Sequence, residues 1–413
     1  MGTQTEDSRT GDQTDRRSAA GSSASAGLFT GGRRAPTVGL LLVITLVAFE
    51  AIAVATAMPR AVAALHGLSF YAWPFTAFFV ANVVALAVGG EAADRFGTRR
   101  PLLAGVAVFT AGLLSAGLAP DMLVFVAGRA VQGFGGGLMI VSTYVVIADV
   151  YDAAARPRMF AALSAAWVLP SLIGPVAAGA LTQQVSWRAV FLLIAPGSLL
   201  ALGLIWPTLR RLRGRAARDR PPATRRWMLA VAAGSAVVAL QYAGGHLVWW
   251  SIVPALAGVA VLVPSLRRLL PAGTLRMHRG IPAAIVLRGV LSGAFFGVDS
   301  FVPLGLTRLH GYGPTAAAIP LMVGSLGWSA GAWLQGRLPA APRHRLIRAG
   351  LALIVAGAVG MAALSLPGAP GWLAYPAWLV AGSGMGLAYP STSVFVLQLS
   401  AIDQRGRNGA ALQ

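Results

Sequence analysis

The segment GEAADRFGTRR, residues 90–100, is charged and separates two long apolar runs, Trp73–Gly89 and Leu102–Leu118. Apolar helices joined by so short a charged link must run antiparallel, so their turn lies at one face of a membrane. Gly97 is free to adopt the positive φ that ends a helix, and the charged side chains stay in water. The residues expected to form this turn are Gly90, Asp94, Arg95, Gly97, Arg99 and Arg100.

The composition of the chain is that of a membrane protein. Of its 413 residues, 56% are hydrophobic and only 11% are charged. A soluble protein cannot bury so much apolar surface, so the sequence predicts an all-α polytopic membrane protein. All 33 basic residues are arginines, and the net charge is +20. Because the arginines fall mainly between the apolar runs, membrane topology explains them better than a nucleic-acid partner does.

The residue types that enzymes use are absent or scattered. The chain has no cysteine, and its five histidines lie in or next to connections without the spacing of a metal pair. The sequence contains no nucleophile–base motif and no phosphate-binding glycine loop followed by lysine. We therefore expect neither an enzyme nor a bound cofactor or metal.

Twelve apolar runs are long enough to cross a bilayer as helices. The seventh is the shortest, and its bounds are the least sharply marked in the sequence. The predicted spans are Val38–Met58, Trp73–Gly89, Leu102–Leu118, Leu123–Ile147, Met159–Leu181, Ala189–Leu209, Trp227–Tyr242, Leu247–Val263, Ile281–Leu306, Ala316–Leu334, Leu346–Leu366 and Trp372–Leu399.

The arginines are distributed unevenly between the two sides of these spans. With the amino terminus inside the cell, 28 of the 33 arginines lie on the cytoplasmic side. Only Arg60, Arg188 and Arg308 lie outside, and Arg129 and Arg288 fall within spans. Because positive charge favours the cytoplasmic side, this asymmetry predicts cytoplasmic termini and an even number of spans.

Residues 90–100 also resemble a known signature. In the major facilitator superfamily, the loop between the second and third helices reads G-x-x-x-D-R-x-G-x-R-R, and each fixed position of that pattern is present from Gly90 to Arg100. The resemblance implies a multi-pass secondary transporter of a bacterial cytoplasmic membrane. It also implies two helical halves that rock around a central cavity.

The fourth span contains GRAVQGFGGG, residues 128–137. An arginine in the apolar core of a membrane is costly unless it faces a cavity or a partner. Gln132 and Gly133 follow Arg129 by one turn on the same helix face. The run resembles the fourth-helix motif R-x-x-Q-G-x-G-G of the superfamily, which is associated there with proton coupling. The alternative is a structural arginine that binds the backbone.

The fifth span contains GPVAAG, residues 174–179, which resembles the G-P-x-x-G-G core of the superfamily's antiporter motif with the last glycine shifted by one. Small residues bring helices close together and proline bends them, so packing alone also explains this segment. The residues expected to serve helix packing or bending are Gly133, Gly174, Pro175, Gly179 and Pro390.

The first span reads FEAIAVATAMP at residues 49–59 and resembles the first-helix motif of the fourteen-helix drug–proton antiporters, with Glu50 in place of an aspartate. In twelve-helix members a weaker copy of the signature loop follows the eighth helix. Here the loop 336–345, after the tenth span, is the better match. This favours an inserted helix pair and the absence of that branch's last two helices; a complete twelve-span protein is the alternative.

These comparisons give an expected organisation for the whole chain. It consists of a disordered cytoplasmic tail (1–36), a six-helix bundle (37–209), a basic cytoplasmic loop (210–226), the inserted helix pair (227–266), a cytoplasmic loop (267–280), four helices of a partial C-terminal bundle (281–399) and a cytoplasmic end (400–413).

Four charged residues lie well within predicted spans: Glu50, Arg129, Arg288 and Asp299. The resemblance implies a cavity lined by spans 1, 4, 9 and 12, and all four charges fall on spans 1, 4 and 9. Glu50 and Arg129 lie at depths that allow them to meet. Arg288 and Asp299 are eleven residues apart, about 16 Å along one helix, and cannot pair.

The resulting hypothesis is proton-coupled efflux of amphiphilic, drug-like molecules, with Glu50 as the proton-binding switch and Arg129 as its ion-pair partner. Asp299 would attract a cationic substrate and Arg288 an anionic one. Transport of a specific metabolite stays open, as does a non-transporting sensor or inactive fragment. The expected partners are a small-molecule substrate, protons and the lipid bilayer. The residues expected to line the substrate cavity are Gln132, Arg288, Phe295, Phe296, Asp299 and Tyr389.

Overall fold

The computed structural model describes residues 28–29, 33–152, 155–211, 224–246, 248–338, 342–401 and 404–412. This part of the chain forms helices and their connections, and it contains no β-strand. The long helices are α1 (Arg34–Ala64), α2 (Trp73–Phe96), α3 (Arg99–Gly117), α4 (Met122–Val150), α5 (Arg156–Gln184), α6 (Trp187–Arg211, interrupted at Leu193), α7 (Thr224–Gly245), α8 (Ile252–Leu269), α9 (Ile281–His310), α10 (Pro314–Arg337), α11 (Arg343–Ala363) and α12 (Ala374–Leu399), and a short α13 (Arg405–Leu412) follows.

The predicted all-α membrane fold is confirmed. Eleven helices of the described chain are long and apolar enough to cross a membrane. Helix α12, with 26 residues, is also long enough to cross a membrane. Each of the twelve predicted spans therefore overlaps one helix. The largest shift is in the eighth span, Leu247–Val263, since α8 runs from Ile252 to Leu269 and Leu247 lies outside the described residues.

The structure corrects the predicted tail at its inner end. Residues 34–36, which were expected to be disordered, already belong to α1, while residues 1–27 and 30–32 of that prediction lie outside the described chain. The reason is a distant contact: the hydroxyl of Thr37, which is fully buried, lies 2.7 Å from the hydroxyl of Tyr151 at the end of α4. This contact fixes the first turn of α1. The local sequence does not reveal it, because Tyr151 is distant in the chain.

Two other predicted connections also change at their ends. Residues 210–211 extend α6 and residues 224–226 begin α7, while residues 212–223 of the predicted basic loop lie outside the described chain. In the predicted cytoplasmic end, α13 forms, and its Leu412 is buried with Ile285 of α9 and Val396 of α12. An apolar contact therefore holds this end against the bundle.

Glycines allow α4 to pack closely against α2 and α3. A Cβ at Gly133 would meet the backbone of Phe78 on α2, and one at Gly135 would meet the backbone of Phe109 on α3. Helix α1 packs instead against α5 and α6. Because backbones approach each other directly, the position of α4 is tightly fixed.

Helices α9–α12 repeat the packing of α1–α4, since α12 packs against α10 and α11 as α4 packs against α2 and α3. Gly382 of α12 meets the backbone of Gly324 on α10, and Gly384 of α12 meets that of Gly350 on α11. Pro390 lies inside α12, which is continuous from Ala374 to Leu399. The α12 glycines therefore serve close packing.

Helices α7 and α8 pack against each other, and α7 also packs against α2, where Gly234 faces Val80. The side of α8 that faces away from α7 is largely exposed. This pair thus lies beside the first half of the protein.

The packing of α12 predicts a strong effect of Gly382→Ala. The added methyl group would overlap the backbone of Gly324, which cannot move without shifting α10. Overpacking of this kind costs about 1–3 kcal/mol, so we expect a lower thermal unfolding temperature in detergent. Gly289→Ala on α9 is the control, because a methyl group there meets open space. Equal unfolding temperatures for the two variants would contradict the packing.

Candidate functional site

Glu50 of α1, Arg129 of α4 and Gln132 of α4 form a buried polar network. Arg129 Nη1 donates hydrogen bonds to Glu50 Oε1 and, at 2.7 Å, to Gln132 Oε1. The relative exposures of Glu50, Arg129 and Gln132 are 0%, 2% and 0%. An ion pair so far from water is stable only when each charge is compensated by the other. The separation between α1 and α4 is therefore constrained.

The neighbouring helices hold this network in position. Arg129 and Gln132 are three residues apart and lie on the same face of α4. The guanidinium carbon of Arg129 lies 4.4 Å from the ring centroid of Phe78 on α2, within the range of a cation–π contact. Asn82 of α2 donates a hydrogen bond to the carbonyl of Gly133 at 3.2 Å. Helix α2 therefore covers the guanidinium and also fixes α4.

The network retains unused hydrogen-bonding capacity. Glu50 Oε2, Arg129 Nε and Gln132 Nε2 are buried and have no hydrogen-bond partner among the described residues. Leaving such atoms unpaired in a medium of low dielectric constant is costly. These three atoms are therefore open to a further hydrogen-bond partner.

Arg288 of α9 is held by α12 rather than by an acid. Its Nη1 donates to the carbonyl oxygen of Tyr389 at 2.9 Å and to Ser393 Oγ at 2.6 Å. Its guanidinium carbon lies 3.3 Å from the centroid of the Tyr389 ring. Among the contacts that the structure records, the positive charge of Arg288 is therefore compensated only by neutral groups.

Asp299 lies three turns further along α9 and accepts a hydrogen bond from Trp378 Nε1 of α12 at 2.8 Å. It does not contact Arg288, as the spacing on one helix predicts. Phe295 stacks on Trp378 with a centroid distance of 4.9 Å and an angle of 17°. Trp328 of α10 contacts the rings of Phe295, Phe296 and Tyr389. Aromatic rings thus connect the Asp299 end of α9 to the Arg288 end.

The two halves of the protein meet near the predicted outer ends of their helices. Tyr71, which precedes α2, donates a hydrogen bond to the carbonyl of Ser300 on α9 at 2.8 Å. Thr315 of α10 donates to Gln183 Oε1 of α5 at 2.8 Å. A Cβ at Gly179 of α5 would meet the backbone of Thr315. The last glycine of the antiporter-like segment therefore packs between the halves.

The other residues of that segment pack within the first half. A Cβ at Gly174 would meet the side chains of Phe49 and Ile52 on α1, at ordinary contact distances of 3.6 and 3.8 Å. Pro175 lies inside α5, which continues past it to Gln184.

The signature loop is fixed by the first half of the protein. Gly97 has φ of +75°, as predicted, and ends α2. Thr98 Oγ1 donates to Asp149 Oδ2 of α4 at 2.6 Å, and the guanidinium of Arg99 lies 4.9 Å from a ring centroid of Trp206 on α6. Gly90 and Arg95 lie in the last turns of α2, and Arg100 is exposed at the start of α3. The side chain of Asp94 lies outside the described residues.

The sequence did not identify several residues that complete these sites. Phe78, Trp328, Trp378 and Ser393 contact the predicted residues but belong to none of the motifs described above. Tyr71 contacts α9 at the carbonyl of Ser300, which is not a predicted site residue. An aromatic residue in an apolar span is usually a packing or lipid-facing residue, so composition gives no signal for it. Only the helix packing identifies which of them touch a charge.

An all-helical membrane protein with ionisable side chains buried between its helices has the architecture of a membrane transporter. Residues 40–413 match the Major Facilitator Superfamily, and the chain belongs to that family. The resemblance of the signature loop is thereby confirmed at the level of the family. Membership of the fourteen-helix branch and the absence of its last two helices stay predictions.

Relatives of the chain include proteins named as an efflux pump and as a multidrug resistance protein homolog. The chain is 29% identical over 304 residues to Efflux pump FUS6 of Gibberella moniliformis, a match that covers 69% of this chain and 53% of the pump. It is 28% identical over 408 residues to the Multidrug resistance protein B homolog of Mycobacterium tuberculosis, covering 91% of this chain and 72% of that protein. The chain thus spans about half the length of the fungal pump.

Solved structures of transporters share the fold. A peptide transporter POT in complex with sulfate aligns with a TM-score of 0.68 at 16% identity, covering 94% of this chain and 88% of that one. A D-xylose-proton symporter aligns with a TM-score of 0.63 at 16% identity, covering 92% and 86%. At these identities the likeness shows the fold and not the substrate.

The buried network predicts a non-additive pair of substitutions. Arg129→Gln leaves the carboxylate of Glu50 buried without its counter-charge, which costs about 3–5 kcal/mol. The double variant Glu50→Gln/Arg129→Gln removes both charges, so we expect it to unfold at a higher temperature than Arg129→Gln alone. The measurement is thermal unfolding of purified protein in detergent. Additive losses of stability would show that the two side chains do not interact.

Proposed function

We propose that this protein is a proton-coupled exporter of amphiphilic small molecules that works by alternating access. The observation that carries the proposal is the buried network in which Arg129 contacts both Glu50 and Gln132. The Major Facilitator Superfamily is a family of transporters, and relatives named as efflux pumps and multidrug resistance proteins favour export. The family assignment thus covers transport, and export and proton coupling are the parts that we propose.

The proposed coupling begins with proton binding at a carboxylate oxygen of Glu50. Glu50 and Arg129 together carry no net charge, and protonation of the carboxyl leaves the arginine with an unbalanced positive charge. Arg129 then retains Gln132 and the ring of Phe78 as neutral partners. A weaker contact between α1 and α4 follows, because a neutral carboxyl attracts the guanidinium less strongly.

Helix α1 is the route by which this change reaches the second half. It packs against α5 and α6 in its own half and also contacts α9 and α10. Ala55, just over one turn beyond Glu50, packs in the apolar cluster that includes Leu291 and Phe295 of α9. A shift of α1 relative to α4 would therefore change its contact with α9, the helix that carries Arg288 and Asp299.

The proposed substrate surface lies on α9, α10 and α12. Phe296 is 41% exposed, and its ring contacts Trp328. Asp299 supplies a carboxylate near these rings, and Arg288 supplies a positive charge further along α9. Flat aromatic rings with a nearby charge suit an amphiphilic molecule, and ring faces also attract cations. Gln132 lies instead in the proton-binding network.

A second candidate function is transport of one specific anionic metabolite. It rests on Arg288, whose recorded contacts are a carbonyl oxygen, a hydroxyl and an aromatic ring. Because no carboxylate neutralises it among the described residues, a substrate carboxylate or phosphate is a suitable counter-ion. In this alternative Asp299 would select against a second negative charge on the substrate.

The proposed location is the cytoplasmic membrane of a bacterium, with both termini inside. The arginine asymmetry favours that orientation. The relatives include proteins of bacteria and of fungi, so they do not define the compartment. The proposed location is therefore supported by the sequence alone.

Glu50→Gln tests the coupling. The amide keeps the shape of the side chain but cannot bind and release a proton, so export of a fluorescent cationic dye should no longer respond to the proton gradient. The measurement is dye efflux from cells or proteoliposomes at matched protein levels, with and without an uncoupler. Asp121→Asn at the start of α4 is the matched control, because asparagine also caps a helix. Gradient-driven efflux that persists in Glu50→Gln would refute the coupling.

Asp299→Asn tests the substrate surface. Loss of the carboxylate should raise the KM for a cationic dye about tenfold while leaving a neutral amphiphile unaffected, because only the cation gains from the negative charge. The measurement compares transport of the two compounds by the same variant. A similar change for both compounds would indicate a structural role of Asp299 and its bond to Trp378.

A further inference from the structure

The connection between α8 and α9, residues 270–280, encloses a cavity that the transport proposal does not use. The cavity has a volume of about 310 Å³ and is lined in part by Arg267, Arg276 and His278. It lies at the end of α8 that the arginine distribution predicts to be cytoplasmic. The cavity is therefore at the level of the lipid headgroups of the inner leaflet.

The charge around this cavity is of one sign. Arg267, Arg268, Arg276 and Arg279 occur within thirteen residues, and the sequence contains no acidic residue between Asp219 and Asp299. All four arginines are exposed, and the structure records no ion pair for them among the described residues. Guanidinium groups bind phosphate through paired hydrogen bonds. The cavity thus has the chemistry of a phosphate site.

The loop also has a fixed shape. Gly273 and Met277 have φ of +82° and +51°, and both conformations reverse the chain. Thr274 is 2% exposed, and its hydroxyl donates to the carbonyl of Pro271 at 2.7 Å. The amide of His278 donates to the carbonyl of Gly273 at 3.2 Å. The loop therefore holds Arg276 and His278 in a defined conformation beside the end of α8.

Apolar side chains adjoin the cationic cavity. Leu269 is 37% exposed, Leu275 is 38% exposed and Met277 is 60% exposed. Above them, the side of α8 away from α7 exposes Leu256 and Val259, and further apolar residues continue to its outer end. A phosphate bound at the arginines would thus lie directly beneath a surface suited to hydrocarbon chains.

We propose that the α8–α9 loop is a binding site for an anionic phospholipid. Arg267 and Arg276 hold the phosphate, His278 adjoins it, and the acyl chains lie along α8 over Leu275 and Met277. Charge selects the anionic headgroup, and the exposed apolar surface distinguishes a lipid from free phosphate. This site is independent of the Glu50 network and of the substrate surface.

The test is a titration of the purified full chain in detergent with dioctanoyl-phosphatidylglycerol, with the thermal unfolding temperature as the readout. A ligand that binds the folded protein raises this temperature as its concentration increases. We expect Arg267→Gln/Arg276→Gln to weaken the apparent affinity about tenfold or more. Arg345→Gln/Arg348→Gln at the start of α11 is the control, since it removes the same charge from exposed positions on the same side.

Two further measurements identify the ligand class. Dioctanoyl-phosphatidylcholine should bind weakly to all variants, because its headgroup has no net charge. Leu275→Ser/Met277→Ser should weaken binding of the lipid but not of inorganic phosphate. Equal affinity of the two arginine double variants for the anionic lipid would overturn the site. Binding of inorganic phosphate as tight as that of the lipid would overturn its assignment to a lipid.

If Arg267→Gln/Arg276→Gln is poorly folded, Arg276→Gln alone serves, because this residue lies in the loop and outside α8. Its circular dichroism and elution volume establish that the bundle is intact. Unchanged affinity in this single variant would also refute the proposed contact with the phosphate.

Discussion

The ion pair between Glu50 and Arg129 imposes the strictest constraint on this fold. Both charges are removed from water, and their attraction offsets that cost only while α1 and α4 keep one separation. The glycines of α4 bring α2 and α3 into backbone contact with it and so fix the position of α4. The same closeness places Phe78 over the guanidinium. Close helix packing and charge compensation are thus parts of one arrangement, and neither can change without the other.

The two halves share their packing but treat charge differently. Helices α9–α12 pack as α1–α4 do, yet Arg288 and Asp299 are compensated by neutral groups and not by each other. A charge that has an opposite charge beside it is held in its charged form. A charge with only neutral partners can still attract an external ion. The two halves therefore share one packing scheme but differ in whether their buried charges form an ion pair.

The sequence predicted the helices, because the length of each apolar run determines them. It also predicted that Glu50 and Arg129 can meet, because the two residues lie at similar depths in their spans. It also predicted the positive φ of Gly97, since a helix end followed at once by another helix needs it. It did not predict the start of α1 at Arg34, which depends on a contact between Thr37 and a tyrosine over one hundred residues away. Nor did it identify Trp378 or Phe78, since an aromatic residue in an apolar run looks the same whether it faces lipid or a buried charge. Tertiary packing decides these cases.

The aromatic series on α9, α10 and α12 gives the second half a built-in polarity. Asp299 and Arg288 stand at its two ends, and the rings of Trp378, Phe295 and Trp328 fill the distance between them. Opposite charges separated along a helix axis form a fixed electric dipole roughly normal to the membrane. A molecule with its own uneven charge would be turned by this field before it made any specific contact. At the proposed substrate surface, this field would favour one orientation of a bound molecule relative to the membrane.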